Sequence, residues 1–184
     1  MFYLENQDLS NKRVIIRVDL NVPLDKNCSV TDTTRIEACK ETVNTVIKLG
    51  GSCVLISHLG RPKGKEKTLS LKNIIETVST VMDRPVLFHK DCIGRDAEKA
   101  TLLLKPGQII LMENLRFYDE ETEGSMTFAE NLSKLGDVYI NDAFGTSHRE
   151  HASTALIAKF FKGKKFAGKL CLLYTSDAAD DSLR

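Results

Sequence analysis

Several features are scarce or missing in this 184-residue sequence. It contains no tryptophan, only four prolines and five cysteines, and 7% of its residues are aromatic. The cysteines include no CxxC pair, so no disulfide framework is indicated. The polar start, MFYLENQDLSNKR, has no signal-peptide core. We therefore expect reduced thiols in a cytoplasmic protein.

An excess of charge of one sign is also lacking. Lysine and arginine number 26 against 25 aspartates and glutamates, a formal net charge of +1. Nucleic-acid binding in general needs a surplus of positive charge, so we expect no nucleic-acid partner, although a local basic site remains open. No apolar run approaches the roughly 20 residues of a membrane helix. The length suits one globular domain.

Nucleotide and metal motifs are missing as well. Residues 60–66 (GRPKGKE) lack the spacing and the Ser/Thr of a P-loop, and there is no GxGxxG. If the protein handles ATP, we expect the nucleotide to be bound mostly outside this chain. His148 and His151 lie three residues apart, but no carboxylate or cysteine completes a ligand set. No metal site is expected.

Short apolar runs alternate along the chain with segments of helical period. The runs are Val14–Val18, Cys53–Ser57, Val86–Phe88, Gln108–Met112 and Val138–Ile140. Their continuous apolar character is typical of strands covered on both faces. The spacing of apolar residues predicts helices that begin near Asp32, the predicted N-cap residue, at Ser70 and at Ser125, and another over Asp96–Leu104. The alternation predicts an α/β fold: a doubly wound, three-layer α/β/α domain with a mainly parallel, Rossmann-like sheet.

Two polar segments are predicted to be loops. Arg61–Lys67 (RPKGKEK) reads as an exposed, flexible loop. Asp119–Glu123 (DEETE) reads as a solvated loop that leads to the helix at Ser125.

Polar residues follow four of the predicted strands, and several of them are cationic. They include Asp19, Asn21, His58, Arg61, Arg116 and Arg149. The carboxyl ends of parallel strands share one edge of the sheet, where ligands bind. Converging arginines favour a small anion with several charges, and Asp19 and Asn21 could hold a ligand hydroxyl or orient an arginine. For any single arginine, an ordinary surface ion pair is the alternative.

Five segments together resemble phosphoglycerate kinase. They are RVDLNVP (Arg17–Pro23), TRIEA (Thr34–Ala38), SHLGRP (Ser57–Pro62), LMENLRF (Leu111–Phe117) and NDAFGTSHREHAST (Asn141–Thr154). They occur in the family's order and at its spacing. The resemblance spans about residues 3–170 and corresponds to the family's N-terminal domain, which binds 3-phosphoglycerate.

The resemblance implies a glycolytic and gluconeogenic activity: reversible phosphoryl transfer from 1,3-bisphosphoglycerate to ADP, giving 3-phosphoglycerate and ATP. It implies that Arg35 is catalytic, near the transferring group. The implied substrate-binding residues are Asp19, Asn21, Arg35, His58, Arg61, Arg116 and Arg149. Among these, Asp19 and Asn21 would contact the glycerate part, and the histidine and the last three arginines would hold the substrate and its 3-phosphate. A monomer is expected.

The sequence departs from the family beyond Leu170. Relatives continue into a helix with a nucleotide-contacting lysine and then into a second domain that binds Mg²⁺ with ATP or ADP, and nothing in residues 171–184 matches this. We interpret residues 1–170 as the N-terminal domain and 171–184 as an unrelated or read-through tail, with a divergent helix as the alternative. The chain is then a substrate-binding half that is inactive alone. The competing hypothesis is a non-catalytic, anion-binding or signalling α/β domain.

Overall fold

The computed structural model describes residues 4–143 and 150–172, and within them the chain forms one six-stranded sheet. The strands are β1 (Arg13–Val18), β2 (Ser52–Ile56), β3 (Val86–His89), β4 (Ile109–Met112), β5 (Val138–Asp142) and β6 (Lys165–Ala167). Their order is β3-β4-β2-β1-β5-β6, and every neighbouring pair is parallel. The predicted parallel sheet is confirmed.

Helices connect the strands. They are α1 (Thr34–Lys48), α2 (Ile75–Met82), α3 (Arg95–Leu102), α4 (Glu120–Glu123) and α5 (Met126–Ser133). The helix predicted from Ser70 begins as a 3₁₀ turn, Leu71–Ile74, in which the Ser70 hydroxyl accepts a hydrogen bond from the Lys72 amide. A π-helical turn, Ala152–Leu156, and a 3₁₀ turn, Ile157–Phe160, precede β6.

The sheet is covered on both faces because alternate residues of each strand point to opposite sides. In β1, Val14 and Ile16 pack into a core with α1 and α2, whereas Ile15 packs into a second core with α3 and α5. All three side chains are fully buried. This arrangement is the predicted three-layer architecture.

The helix α1 begins near Asp32, as predicted, and ends before Gly50, but its N-cap residue differs from the predicted one. Asp32 does not occupy the N-cap, which is Thr33; instead, Asp32 Oδ1 accepts a hydrogen bond from the Thr34 amide at 2.8 Å. Beyond the helix, Gly50 has a φ of +85°, a left-handed conformation that glycine adopts without strain.

The predicted solvated loop at Asp119–Glu123 is exposed at four of its five residues, as expected, but the prediction of a loop is wrong, and so is the expected exposure of Glu121. Glu120–Glu123 forms α4, and the Glu121 side chain is 1% exposed. Five consecutive polar residues suggested solvent, but Glu121 is buried where the amide and the hydroxyl of a distant residue, Ser153, bind its carboxylate. No apolar run in the sequence predicts β6, a three-residue edge strand with exposed lysine and alanine at its ends.

The loop Arg61–Lys67 is exposed at Arg61, as predicted, but it is anchored further along. Lys65 Nζ lies 3.5 Å from Asp91 Oδ2 and 5.2 Å from the centre of the Tyr118 ring. No helix in the described part of the chain is long and apolar enough to cross a membrane. Residues 173–184 lie outside the described residues, and the domain boundary at residue 170 stays a prediction.

Candidate anion-binding site

The loops that follow β1, β2 and β4 are joined by hydrogen bonds at the carboxyl edge of the sheet. The Leu20 amide donates to Ser57 Oγ at 2.9 Å, and the Gly60 amide donates to Asn21 Oδ1 at 2.7 Å. The Leu115 amide donates to the Ser57 carbonyl at 3.1 Å. Because β2 lies between β1 and β4, these bonds hold three strand ends as one surface.

Asn114, in the loop after β4, holds the loop after β2 in place through its side chain. Its buried side chain accepts hydrogen bonds from the amides of Leu59 and Arg116, and donates to the carbonyls of Leu59 and Leu69. The capacity of the amide group is therefore fully used. Arg116 Nη1 donates to the Gly60 carbonyl at 2.7 Å, which holds this guanidinium against the same loop.

Arg35 stands at the start of α1 and reaches the end of β1. Its Nη1 donates to Asp19 Oδ2 at 2.5 Å, and Asp19 Oδ1 accepts a hydrogen bond from the Asn21 amide at 3.1 Å. The Arg35 side chain is 51% exposed. A guanidinium carries several N–H groups, so the ion pair orients Arg35 while leaving donors for a ligand.

His58 follows β2 and is buried. Its Nδ1 lies 3.0 Å from Arg17 Nη2. Burial, followed by the nearby positive charges of Arg17 and Arg116, lowers the pKa of His58 to about 2. The imidazole is therefore neutral at physiological pH, and it supplies hydrogen bonding rather than positive charge to the site.

Three buried residues behind this surface are not among the predicted site residues: Arg17, Glu121 and Ser153. Arg17 Nε donates to Ser153 Oγ at 2.9 Å, and that hydroxyl donates to Glu121 Oε1 at 2.5 Å. Arg17 did carry a signal, because it is the one charged residue inside the apolar run VIIRV. A charged residue in a strand covered on both faces needs a buried partner. Glu121 carried none, since it lies among other acidic residues.

The structure brings five of the seven predicted substrate-binding residues to this edge. They are Asp19, Asn21, Arg35, His58 and Arg116. Arg61 directly follows Gly60 in the same loop; it is exposed, and its guanidinium has no hydrogen bond or ion pair to the residues that the structure describes. Arg149 lies outside the described residues.

These groups define the class of the protein. Cationic and hydrogen-bonding side chains stand at the carboxyl edge of an open parallel sheet, the place where α/β domains bind ligands. In the described residues, no group of three or more His, Cys, Asp or Glu side chains is placed to hold a metal ion. The chain is a Rossmann-like α/β domain with a site suited to a small anion.

Comparison with known proteins narrows the class to a family. The family model described as phosphoglycerate kinase matches residues 4–173. The chain belongs to the phosphoglycerate kinase family.

Individual relatives agree with this assignment. The chain is 45% identical over 157 residues to the phosphoglycerate kinase of Wolbachia sp. subsp. Drosophila simulans (strain wRi), covering 85% of this chain and 39% of that protein. It is 46% identical over 159 residues to the cytosolic phosphoglycerate kinase of Nicotiana tabacum, covering 86% of this chain and 40% of that protein. The solved phosphoglycerate kinase of Coxiella burnetii has a TM-score of 0.84 at 35% identity, covering 95% of this chain and 43% of that one. The chain thus spans about two fifths of the length of these relatives.

Proposed function

We propose that this chain is the 3-phosphoglycerate-binding part of a phosphoglycerate kinase. That enzyme would move a phosphoryl group reversibly from 1,3-bisphosphoglycerate to ADP. The observation that carries the proposal is the Asp19–Arg35 ion pair of 2.5 Å, which stands beside the interlocked loops of Asn21, Gly60 and Arg116. Membership of the phosphoglycerate kinase family supports 3-phosphoglycerate as the ligand of this cationic surface.

Arg35 is the proposed catalytic residue. Phosphoryl transfer passes through a loose transition state with charge on the equatorial oxygens, so positioning and electrostatic stabilisation provide most of the catalysis. A half-exposed guanidinium oriented by Asp19 can stabilise that charge. No general base is needed, because the carboxylate that accepts the phosphoryl group in the reverse direction is already ionised.

The proposed roles of the other site residues depend on which of their donor and acceptor atoms are still available to bind a ligand. Asn21 uses Oδ1 to bind the Gly60 amide, and its Nδ2 has no partner in the described residues, so Nδ2 can donate to an oxygen of the glycerate. Asp19 can accept a substrate hydroxyl beside the bond from Arg35. Arg61, Arg116 and Arg149 would bind the 3-phosphate, which carries close to two negative charges.

The nucleotide would be bound elsewhere. We place Mg²⁺ with ATP or ADP mainly in the part of the relatives' length that this chain does not span. The chain alone would then bind the substrate but turn over little or none of it, because catalysis requires both parts to close over the substrates. We propose a cytoplasmic monomer with no nucleic-acid or membrane partner; relatives from Nicotiana tabacum and Arabidopsis thaliana are named cytosolic.

A calorimetric titration of the 184-residue chain tests the proposal. With 3-phosphoglycerate we expect saturable 1:1 binding that weakens as salt rises, since the contacts are ionic. With inorganic phosphate, which lacks the glycerate, binding should be at least about tenfold weaker. No binding of 3-phosphoglycerate would refute the proposed function. Equal binding of both anions would favour the competing hypothesis of an unspecific anion-binding domain.

A further inference from the structure

A chain of hydrogen bonds runs behind the anion-binding surface and ends at His58. Glu121 Oε1 accepts from Ser153 Oγ at 2.5 Å, and Glu121 Oε2 accepts from the Ser153 amide at 3.0 Å. Ser153 Oγ in turn accepts from Arg17 Nε at 2.9 Å, and Arg17 Nη2 lies 3.0 Å from His58 Nδ1. All four side chains are buried.

The network compensates for a buried charge. The Arg17 side chain is 1% exposed, and burial lowers its pKa, whereas the Glu121 carboxylate opposes that shift. A buried guanidinium is tolerated only when it is paired and its donors are satisfied. Ser153 links the two charges, since its hydroxyl donates to one and accepts from the other. Arg17 Nη1 also donates to the Val18 carbonyl.

The same network determines which His58 nitrogen carries the proton. A guanidinium can only donate, so His58 Nδ1 must accept from Arg17. The proton of the neutral ring is then on Nε2, which has no partner in the described residues. The charged and titratable groups that face His58 are Arg17, Arg116, His151 and Arg35, and all of them oppose a second proton.

We propose that Glu121 and Ser153 are positioning residues for this site. Acting through Arg17, they hold His58 as a neutral Nε2–H tautomer, so that the ring offers an uncharged donor to a ligand oxygen. That the ligand is 3-phosphoglycerate rests on the proposed function; the tautomer of the unliganded protein does not.

The first test needs no substitution and no ligand. Long-range ¹H–¹⁵N spectra of the imidazoles, recorded on the unliganded 184-residue chain from about pH 5 to 8, report the tautomer and charge of each histidine. We expect His58 to give one Nε2-protonated species that does not titrate over this range. A mixture of tautomers, an Nδ1-protonated ring or an ordinary titration near pH 6.5 would overturn the proposal.

The second test breaks the network at one hydroxyl. Ser153→Ala should produce a mixture of His58 tautomers and weaken 3-phosphoglycerate binding about tenfold, the size expected from losing a charge-assisted hydrogen bond. Glu121→Gln removes the charge but keeps the shape, and should change the His58 signals in the same direction. Ser52→Ala is the matched control: Ser52 is also buried but lies at the start of β2, and among the described residues its hydroxyl bonds only the Lys12 carbonyl.

The positioning role and the proposed substrate can be refuted independently of each other. If Ser153→Ala leaves the His58 signals unchanged, or if Ser52→Ala alters them equally, the positioning role is wrong even when 3-phosphoglycerate binds. If the wild-type chain shows the expected tautomer but binds no 3-phosphoglycerate, the proposed substrate is wrong and the positioning role stands.

Discussion

Arg35 is oriented by Asp19 across 16 positions of sequence: Nη1 of one lies 2.5 Å from Oδ2 of the other. Asp19 directly follows β1 and Arg35 is the second residue of α1, so the ion pair joins the end of a strand to the first turn of the helix that follows it. The pair is partly exposed, and such pairs add little to stability. Its importance is that it directs a guanidinium to the edge of the sheet where ligands bind.

Arg35→Ala in a complete phosphoglycerate kinase that contains this domain should lower kcat about 100-fold and weaken 3-phosphoglycerate binding less than about tenfold. The reason is that charge on the transferring group develops in the transition state. Steady-state kinetics and a binding titration measure the two effects. Lys40→Ala, which removes another exposed ion pair of α1, should change neither. Equal losses in kcat and affinity would contradict the catalytic role.

Arg61→Ala should weaken 3-phosphoglycerate binding about tenfold and leave the free energy of unfolding unchanged, because Arg61 bonds nothing in the described residues. Arg149→Ala is expected to weaken affinity as well. Calorimetric titration of the 184-residue chain measures the affinity of both variants, and denaturant unfolding measures the free energy of unfolding. Lys63→Ala, which removes a nearby exposed cation, serves as the control. Unchanged affinity in either arginine variant would remove that residue from the site.

Asn114→Ala should destabilise the domain by about 2–4 kcal/mol, since it leaves the buried amide of Leu59 and the carbonyls of Leu59 and Leu69 without their partner. Denaturant unfolding measures this change. Affinity for 3-phosphoglycerate should also fall, because Arg116 loses its anchored loop. Asn27→Ala, an exposed asparagine, should have no effect on either quantity. A stability equal to the wild type would show that the loops do not depend on Asn114.

Asp137 should make stability depend on pH in the acid range. The hydrogen bonds and charge of Arg13 hold the pKa of Asp137 below its usual value, against the effect of burial. The folded state therefore binds fewer protons than the unfolded state, and the stabilisation is present above the ordinary aspartate pKa and lost as pH falls through the folded one.

Asp137→Asn tests this expectation by denaturant unfolding at several pH values. The variant should be less stable by about 1 kcal/mol at pH 7, a small effect because the pair is partly exposed. The difference should shrink as the pH falls below the ordinary aspartate pKa and through the lowered pKa of the folded state. Glu130→Gln changes an exposed carboxylate that forms no ion pair in the described residues, and should match the wild type at pH 7. A difference that does not vary with pH would rule out a charge effect.

Thiol labelling should distinguish one cysteine from the rest. All five cysteines are free, and Cys28 is partly exposed whereas the other four are buried. Burial raises the pKa of Cys53 to about 12, so that thiol forms little reactive thiolate near neutral pH. We expect one fast-reacting thiol in the folded chain, lost in Cys28→Ser, and five after denaturation. Fast labelling of more than one thiol in the native chain would contradict the packing.

The layered fold could be predicted from the sequence because its signals are local. Val14–Val18 and Cys53–Ser57 are nearly continuous apolar runs, as strands buried on both faces require, and they became β1 and β2. Two of the elements that were not predicted, β6 and α4, lack such runs. β6 is a three-residue edge strand, and α4 consists of acidic and polar residues of which Glu121 alone is buried, against a distant partner, Ser153.

The sequence by itself determined the strand and helix pattern and the strand-end residues that the family motifs mark, such as Asp19 and Arg35. Only the tertiary structure decided the state of those residues. Arg17, Glu121 and Ser153 lie up to 136 positions apart, and their charges and hydroxyl meet only when the sheet is assembled. His58 looks like a cation in sequence, but burial and adjacent arginines make it neutral. Residue type is local, whereas desolvation and pairing are properties of the folded surroundings.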